Sequence, residues 1–168
     1  MQTAYFQAVE NGNIEEVQSH LSNDQMLANA ENEHGLTALG LASHYGHIEM
    51  VRQLLAAGAE INAMSHSLLP FIPSNTALHA AISGRQPAEL ISLLIEHGAD
   101  VNAIDSEGHK PIQTAAFEGN VEIAKRLLEN GADPATDGGQ GSAVAIADKR
   151  GNEDFASLLR ASVNAINR

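Results

Sequence analysis

There is no cysteine in this chain and no tryptophan. The first absence excludes disulfides and thiolate metal sites. The second, with aromatic residues at only 4%, leaves a core built mainly from alanine and leucine, between helices that approach closely. Basic residues are scarce and unevenly spread. Residues 1–109 hold 13 acids against Arg52 and Arg85, whereas 110–168 hold 8 acids and 7 bases, for a net charge of −12. Nucleic acid is disfavoured as a partner, because phosphate contacts need clustered lysine and arginine. No apolar run is long enough to span a bilayer. The start, Met1-Gln2-Thr3-Ala4-Tyr5-Phe6, has neither the basic region nor the apolar stretch of a secretory leader. A cytoplasmic protein is the expectation, without a membrane partner.

Catalytic patterns are missing too. No glycine-rich phosphate loop opens a helix after a strand, and there is no nucleophile elbow. Carboxylates such as Glu49 and Glu122 fall at solvated helix positions. His44 and His47 are three apart, but a zinc site needs three or four placed ligands, and no third lies nearby in the sequence. The expectation is no catalytic residue, no metal, no cofactor and no enzyme.

What the chain does have is a period. Gly35 to Asn62 reads GLTALGLASHYGHIEMVRQLLAAGAEIN: a turn, a short helix, a tight turn, a longer helix and a glycine exit. Copies follow from Thr76 and from Lys110. Thr3, Thr37, Thr76, Lys110 and Ser142 share one position, and five residues on each copy has alanine: Ala8, Ala42, Ala81, Ala115 and Ala147. The glycines Gly12, Gly46, Gly84, Gly119 and Gly151 are read as the first-turn glycine of each copy, at intervals of 34, 38, 35 and 32 residues. Glycine there allows the positive φ of a reversal. The second helix ends in paired apolar steps, Leu54-Leu55, Leu94-Ile95 and Leu127-Leu128, followed by Gly58-Ala59-Glu60, Gly98-Ala99-Asp100 and Gly131-Ala132-Asp133. The spacing predicts that Leu54, Leu55, Leu94, Leu127 and Leu128 are buried between layers.

At these residues the chain resembles the ankyrin-repeat family, whose unit is about 33 residues. Thr76-Ala77-Leu78-His79-Ala80-Ala81 is close to the family's T-P-L-H-x-A. Thr37-Ala38-Leu39-Gly40 keeps the phase but loses the histidine, and Lys110-Pro111-Ile112-Gln113 keeps only the proline. The resemblance covers nearly the whole chain and implies an all-α solenoid of stacked helix-turn-helix units with short finger β-turns or hairpins. The expectation is one domain, residues 1–168, with units at about 1–34, 35–67, 74–107, 108–139 and 140–168, the first and last eroded as caps. Tyr5 and Phe6 are read as cap core or an exposed end, with at least one in the core. Val163–Arg168 are expected to fray. The turn before the third unit's second helix is one residue longer, with Pro87 in that helix's first turn. His79 is read as structural, bonded to turn backbone of its own or the adjacent unit.

The rhythm breaks once. From Asn102 to Gly108 the finger takes six residues, and from Asn62 to Ser74 twelve, the surplus lying in an apolar loop at about 63–73. Leu68, Leu69, Phe71 and Ile72 there are either an exposed partner anchor or a lid on their own unit. Insertions in solenoids map to loops on one face, often the binding face. The resemblance places His44, Tyr45 and Phe117 on the variable, groove-facing end of the first helices, with Lys149 and Arg150 near the far end. The functional expectation is a monomeric, non-catalytic module that binds another protein through its concave face and fingers. Its acid surplus is read either as a solubility feature or as a charge that steers a partner of basic character toward the first three units. The alternative is a small bacterial-type inhibitor or immunity protein that occludes the active site of a toxin or enzyme.

Overall fold

The computed structural model describes residues 2–166. Ten α-helices are found among them, in five successive pairs. The first members are α1 (Gln2–Glu10), α3 (Ala38–Tyr45), α5 (Ala77–Ser83), α7 (Pro111–Glu118) and α9 (Ala143–Arg150). The second members are α2 (Ile14–Asn23), α4 (Ile48–Ala56), α6 (Ala88–Glu96), α8 (Val121–Glu129) and α10 (Glu153–Ile166). A single 3-10 turn, Gln25–Asn29, precedes the first finger. The only sheet-like pairing among the described residues is an isolated antiparallel bridge between Glu31 and Thr37. First helices stack on first helices, and second on second except that α4 and α6 touch little, so each unit packs on its neighbours. No described helix is long and apolar enough to cross a membrane.

Packing explains the sequence pattern. The five recurrent alanines are all buried, at 0–2% exposure. There the first helices of adjacent units meet, and a larger side chain would hold them apart. In the second helices the buried set repeats as Met50, Val51 and Leu54; Leu90, Ile91 and Leu94; Ile123, Ala124 and Leu127; Phe155, Ala156 and Leu159. The expected burial of Leu55 and Leu128 is corrected: both are only half-buried. Successive helical residues point about 100° apart, so one member of each pair enters the core and the other rides its edge. Tyr5 and Phe6 are both buried, packed edge-on at 5.1 Å. Val163 to Ile166 continue α10 instead of fraying; Asn167 and Arg168 lie outside the described residues.

Side-chain amides stitch the fingers together. Asn29 donates from Nδ2 to Gly58 O (2.9 Å) and accepts at Oδ1 from the Glu60 N–H (2.7 Å). Asn62 does the same with Gly98 O (2.9 Å) and the Asp100 N–H (2.8 Å), and Asn102 with Gly131 O (2.9 Å) and the Asp133 N–H (3.2 Å). The next equivalent position is Ala135, and the fifth unit presents no Gly-Ala-acid step to receive such an amide.

The third unit departs from the expected phase. Gly84 has φ −74°, and the left-handed residue is Arg85, at φ 57°. Gly12, Gly46, Gly119 and Gly151 hold φ 69–76° at the same step. Counted from the helix cap, Arg85 is the true equivalent of Gly46, and Gly84 stands where the second unit has Tyr45. The reason is space: a Cβ on Gly84 would lie 2.3 Å from His44 O. The extra residue before α6 is real, and Pro87 caps that helix rather than opening it.

Candidate functional site

Three residues beyond the shared position of Thr3, Thr37, Thr76, Lys110 and Ser142 stands a row: Phe6, Gly40, His79, Gln113 and Ala145. Phe6 fills its place in the first unit with a buried ring. His79, buried, takes a hydrogen bond at Nδ1 from Thr76 Oγ1 (2.9 Å) and donates from Nε2 to His109 O (3.1 Å) in the next finger. It thus bonds within its own unit and to the adjacent one. Gln113, fully buried, donates from Nε2 to Gly138 O (2.9 Å) and Gly141 O (2.8 Å) and accepts at Oε1 from the Lys110 N–H (2.8 Å). Gly40 has no side chain to cross with. Its N–H donates to Thr37 Oγ1 (3.0 Å), and beyond it the next finger is reached by nothing.

A hollow of about 360 Å³ opens there, mostly apolar, between α3, α5 and the inserted loop. Leu41, His44 and Tyr45 form one wall, and Phe71, Ile72 and Pro73 the other. One residue beyond the row, small Ala80 stands in α5, and four beyond, Ser83; both line the hollow. Gly84 adds no side chain beside them. Burial pushes the His79 imidazole's pKa down, against the Asp105 carboxylate, its own bond to His109 O and Asp100, which favour the proton. The His109 imidazole opposes it. His79 is therefore a neutral group at the base of the groove.

The inserted loop is held from both sides. The His66 N–H donates to Gly35 O (2.9 Å) and the Leu68 N–H to His34 O (2.9 Å), both in the preceding finger. His66 Nδ1 also meets Glu31 Oε1 at 2.8 Å. On the far side Ser74 and Ser106 exchange two bonds, Ser74 N–H to Ser106 Oγ and Ser106 N–H to Ser74 O, each 2.9 Å. Gly35 is required by this docking: a Cβ there would sit 2.0 Å from His66 O, and its φ is +74°. Within the loop, Ser65 serves Asn75, its N–H donating to Asn75 O (3.0 Å) and its Oγ accepting from the Asn75 N–H (3.0 Å). That is the backbone a histidine at position 40 would face.

Four of the sequence-predicted residues, His44, Tyr45, Phe71 and Ile72, come together around the hollow. Tyr45 is 50% exposed and Phe71 78%. Leu68, 74% exposed, and half-buried Leu69 lie on the same loop but outside the hollow's lining. Phe117 is half-buried, edge-on to His109 at 5.6 Å, with the Arg150 guanidinium 6.0 Å from its ring centre. Arg150 also donates from Nε to Phe117 O (3.4 Å), and Lys149 is exposed beside it. None of Phe117, Lys149 and Arg150 lines the hollow. His44 Nδ1 lies 3.4 Å from Ala80 O, and His47 bonds through Nε2 to Glu10 O (2.8 Å). No group of three potential metal ligands occurs among the described residues.

Sequence reasoning missed Gly40, Ala80 and Ser83. The signal was present as the lost histidine at Gly40, but a missing side chain becomes a hollow only when its neighbours are also small.

A family model described as ankyrin repeats (3 copies) matches residues 1–65 and again residues 66–138. The chain is 39% identical over 97 residues to the ankyrin repeat protein nuc-2 of Neurospora crassa, 57% of this chain and 8% of that protein. It is 35% identical over 156 residues to the ankyrin repeat and KH domain-containing protein mask-1 of Caenorhabditis elegans, 91% of this chain and 6% of that protein. To the nuclear factor NF-kappa-B p105 subunit of Gallus gallus it is 30% identical over 108 residues, 64% of this chain and 10% of that protein. The chain thus spans a tenth or less of the length of these relatives.

Proposed function

Because the chain belongs to the ankyrin-repeat family, whose repeats generally serve as protein–protein interaction modules, we propose that it works as a non-catalytic binder of a partner protein. The partner lies along the groove side, against His44, Tyr45 and the inserted loop. One observation carries this reading: exposed Tyr45, Leu68 and Phe71 gather on and beside one hollow in a chain poor in aromatics. A contiguous exposed apolar patch marks an interaction site more often than chance exposure does. The loop's hydrogen bonds to both flanking fingers support it, since an anchor held in place loses less side-chain and backbone freedom on binding. The second cluster, Phe117, Lys149 and Arg150, extends the proposed contact toward the fifth unit. The partner is read as a protein of basic character, from the acid surplus of residues 1–109.

The test is affinity capture from the native lysate with wild type and with Tyr45→Ala/Phe71→Ala. Both side chains are exposed, so the double variant should melt close to wild type. It should lose the captured protein, hot-spot aromatics being worth about 2 kcal/mol or more each. Unchanged capture by the double variant overturns the assignment of this face.

A further inference from the structure

The hollow arises where three departures from the repeat coincide. The second unit lacks the crossing side chain, Gly40 standing where Phe6, His79 and Gln113 stand in the first, third and fourth. The third unit has only Ser83 and Gly84 where the second has His44 and Tyr45 and the fourth Phe117 and Glu118. The inserted loop then raises Phe71, Ile72 and Pro73 as an outer wall. Each departure removes or adds side chains at one place, so the cavity is built by this chain's own substitutions, not by the general shape of a stack. At about 360 Å³ it is at the small end of ligand pockets and suits one large side chain.

The groove continues past the hollow in one direction. Gln2, Thr3, Phe6, Gln7 and Glu10 of α1 are the counterparts, one unit along, of Leu36, Thr37, Gly40, Leu41 and His44. With the first finger they line a second cleft, of about 360 Å³, that contains Glu10, Glu31 and Glu33. Phe6 fills the position left open by Gly40, so this stretch is polar and shallow of anchor. No lysine or arginine precedes Arg52 in the sequence. Arg52 itself lies on α4, 4.0 Å from Glu49. The carboxylates of the cleft thus have no cationic lysine or arginine from their own unit. Glu33 is 83% exposed, and Glu31 is engaged by His66.

Resting on the protein-binding reading above, we infer that the partner presents one large apolar side chain to the Gly40 hollow and lysine or arginine residues to the Glu10, Glu31 and Glu33 cleft. Gly40 is the residue that sets this specificity. The charge of the cleft selects a basic segment, and the exposed apolar rim selects a polypeptide over a small molecule, which would need enclosure rather than a rim.

The hypothesis is tested with a random peptide display library selected on wild type, followed by affinity measurement of the consensus peptide. The consensus should hold one large apolar position with lysine or arginine close by. Gly40→His should weaken that peptide about tenfold or more while keeping or raising the melting temperature. It restores the pairing seen between Thr76 and His79; Thr37 Oγ1 lies 2.9 Å from the new Cβ and can turn as Thr76 does. Glu33→Lys should weaken binding and reduce its salt dependence. If Gly40→His does not fold, Phe71→Ala and Glu33→Lys, both at exposed positions, decide the matter. Peptides held equally by all three variants, or a consensus without an apolar or basic position, overturn the inference. If such peptides are still lost with Phe117→Ala or Arg150→Ala, the protein-binding reading stands without this pocket. Enrichment of no peptide on any variant sinks both. Self-association of wild type that Gly40→His abolishes would make the occupant a second copy, also against the inference.

Discussion

The junction of the second and third units and that of the third and fourth share a backbone plan and enclose different things. At the later junction His79 crosses to His109 O, and the outer helices α6 and α8 pack together. At the earlier one Gly40 crosses to nothing, and α4 and α6 touch little, while α3 and α5 press closer than any other inner pair. Gly84 permits that approach, since His44 O occupies the space of its absent Cβ. Ser65 on Asn75 and His66 on Gly35 repeat what Asp105 does with His109 and Ser106 with Ser74, so the inserted loop adds one further bond to the preceding finger, from the Leu68 N–H to His34 O. A solenoid's stability is close to a sum of neighbour terms. One junction can therefore exchange a buried polar link for a loop and gain a hollow, its inner helices pressed closer and its outer helices in less contact.

The strongest way to break this comparison is through the core. Leu54 and Leu94 are both fully buried at the same step of the second helix. If the interior is equally well packed at both junctions, Leu54→Ala and Leu94→Ala should each cost about 2–5 kcal/mol in urea unfolding. A Leu54→Ala loss below about 1 kcal/mol would mean that the earlier junction is loose throughout, and that its hollow reflects poor packing.

Much of the fold was legible because the repeat's constraints are local. Alanine where helices touch and glycine where the chain leaves a helix can be read one residue at a time. The core phase of the second helix was read one step off at Leu55 and Leu128. A pair of leucines invites the assumption that both point inward, whereas Met50, Leu90, Ile123 and Phe155 take the inner place. The inserted loop was visible as surplus apolar length. Its division into hollow-lining Phe71 and Ile72 and outlying Leu68 and Leu69 was not, because it depends on a turn closed by the Ile72 N–H on Leu69 O (3.2 Å). Phe117 was placed on the right helix end, but its surroundings come from His109 in its own unit's finger and Arg150 in the next unit. Neither contact has a signature in the residues next to Phe117.

A smaller effect is expected from removing the cross-bond at the later junction. His79→Ala deletes two buried hydrogen bonds and should cost about 1–3 kcal/mol. His79→Gln, by analogy with Gln113, should recover part of it. The pH dependence gives a separate reading. The folded chain holds His79 neutral, its pKa pushed down by burial, whereas the unfolded chain protonates near pH 6.5. Above about 6.5 the contribution is fully present. As pH falls below that value the unfolded state takes up the proton first, and stability drops toward the folded pKa. Wild type should therefore lose more stability than His79→Gln between neutral and mildly acidic pH. Equal losses would remove His79 from the acid response, and with it this distinction from Gly40.

The smallest effect concerns the shifted glycine. Among the described residues Arg85 is the one non-glycine with positive φ, a conformation that costs an L-residue about 1–2 kcal/mol. Arg85→Gly removes that strain but adds unfolded-chain freedom worth about 0.5–1 kcal/mol. It also removes the ion pair of Arg85 Nε with Glu118 at 2.5 Å, in which the arginine is 76% exposed. An exposed pair is worth about 0–1 kcal/mol. In wild type these terms should nearly cancel, leaving a change within about half a kcal/mol. The backbone term can be isolated by starting from Glu118→Gln, where the pair is already gone. In that background Arg85→Gly should stabilise by about 0.5–1 kcal/mol, and the gain should vanish in the wild-type background. If Arg85→Gly destabilises both equally, the left-handed turn is not strained. The third unit then keeps arginine there for a contact along the groove, and the shift of glycine to position 84 has a cause other than the approach of His44.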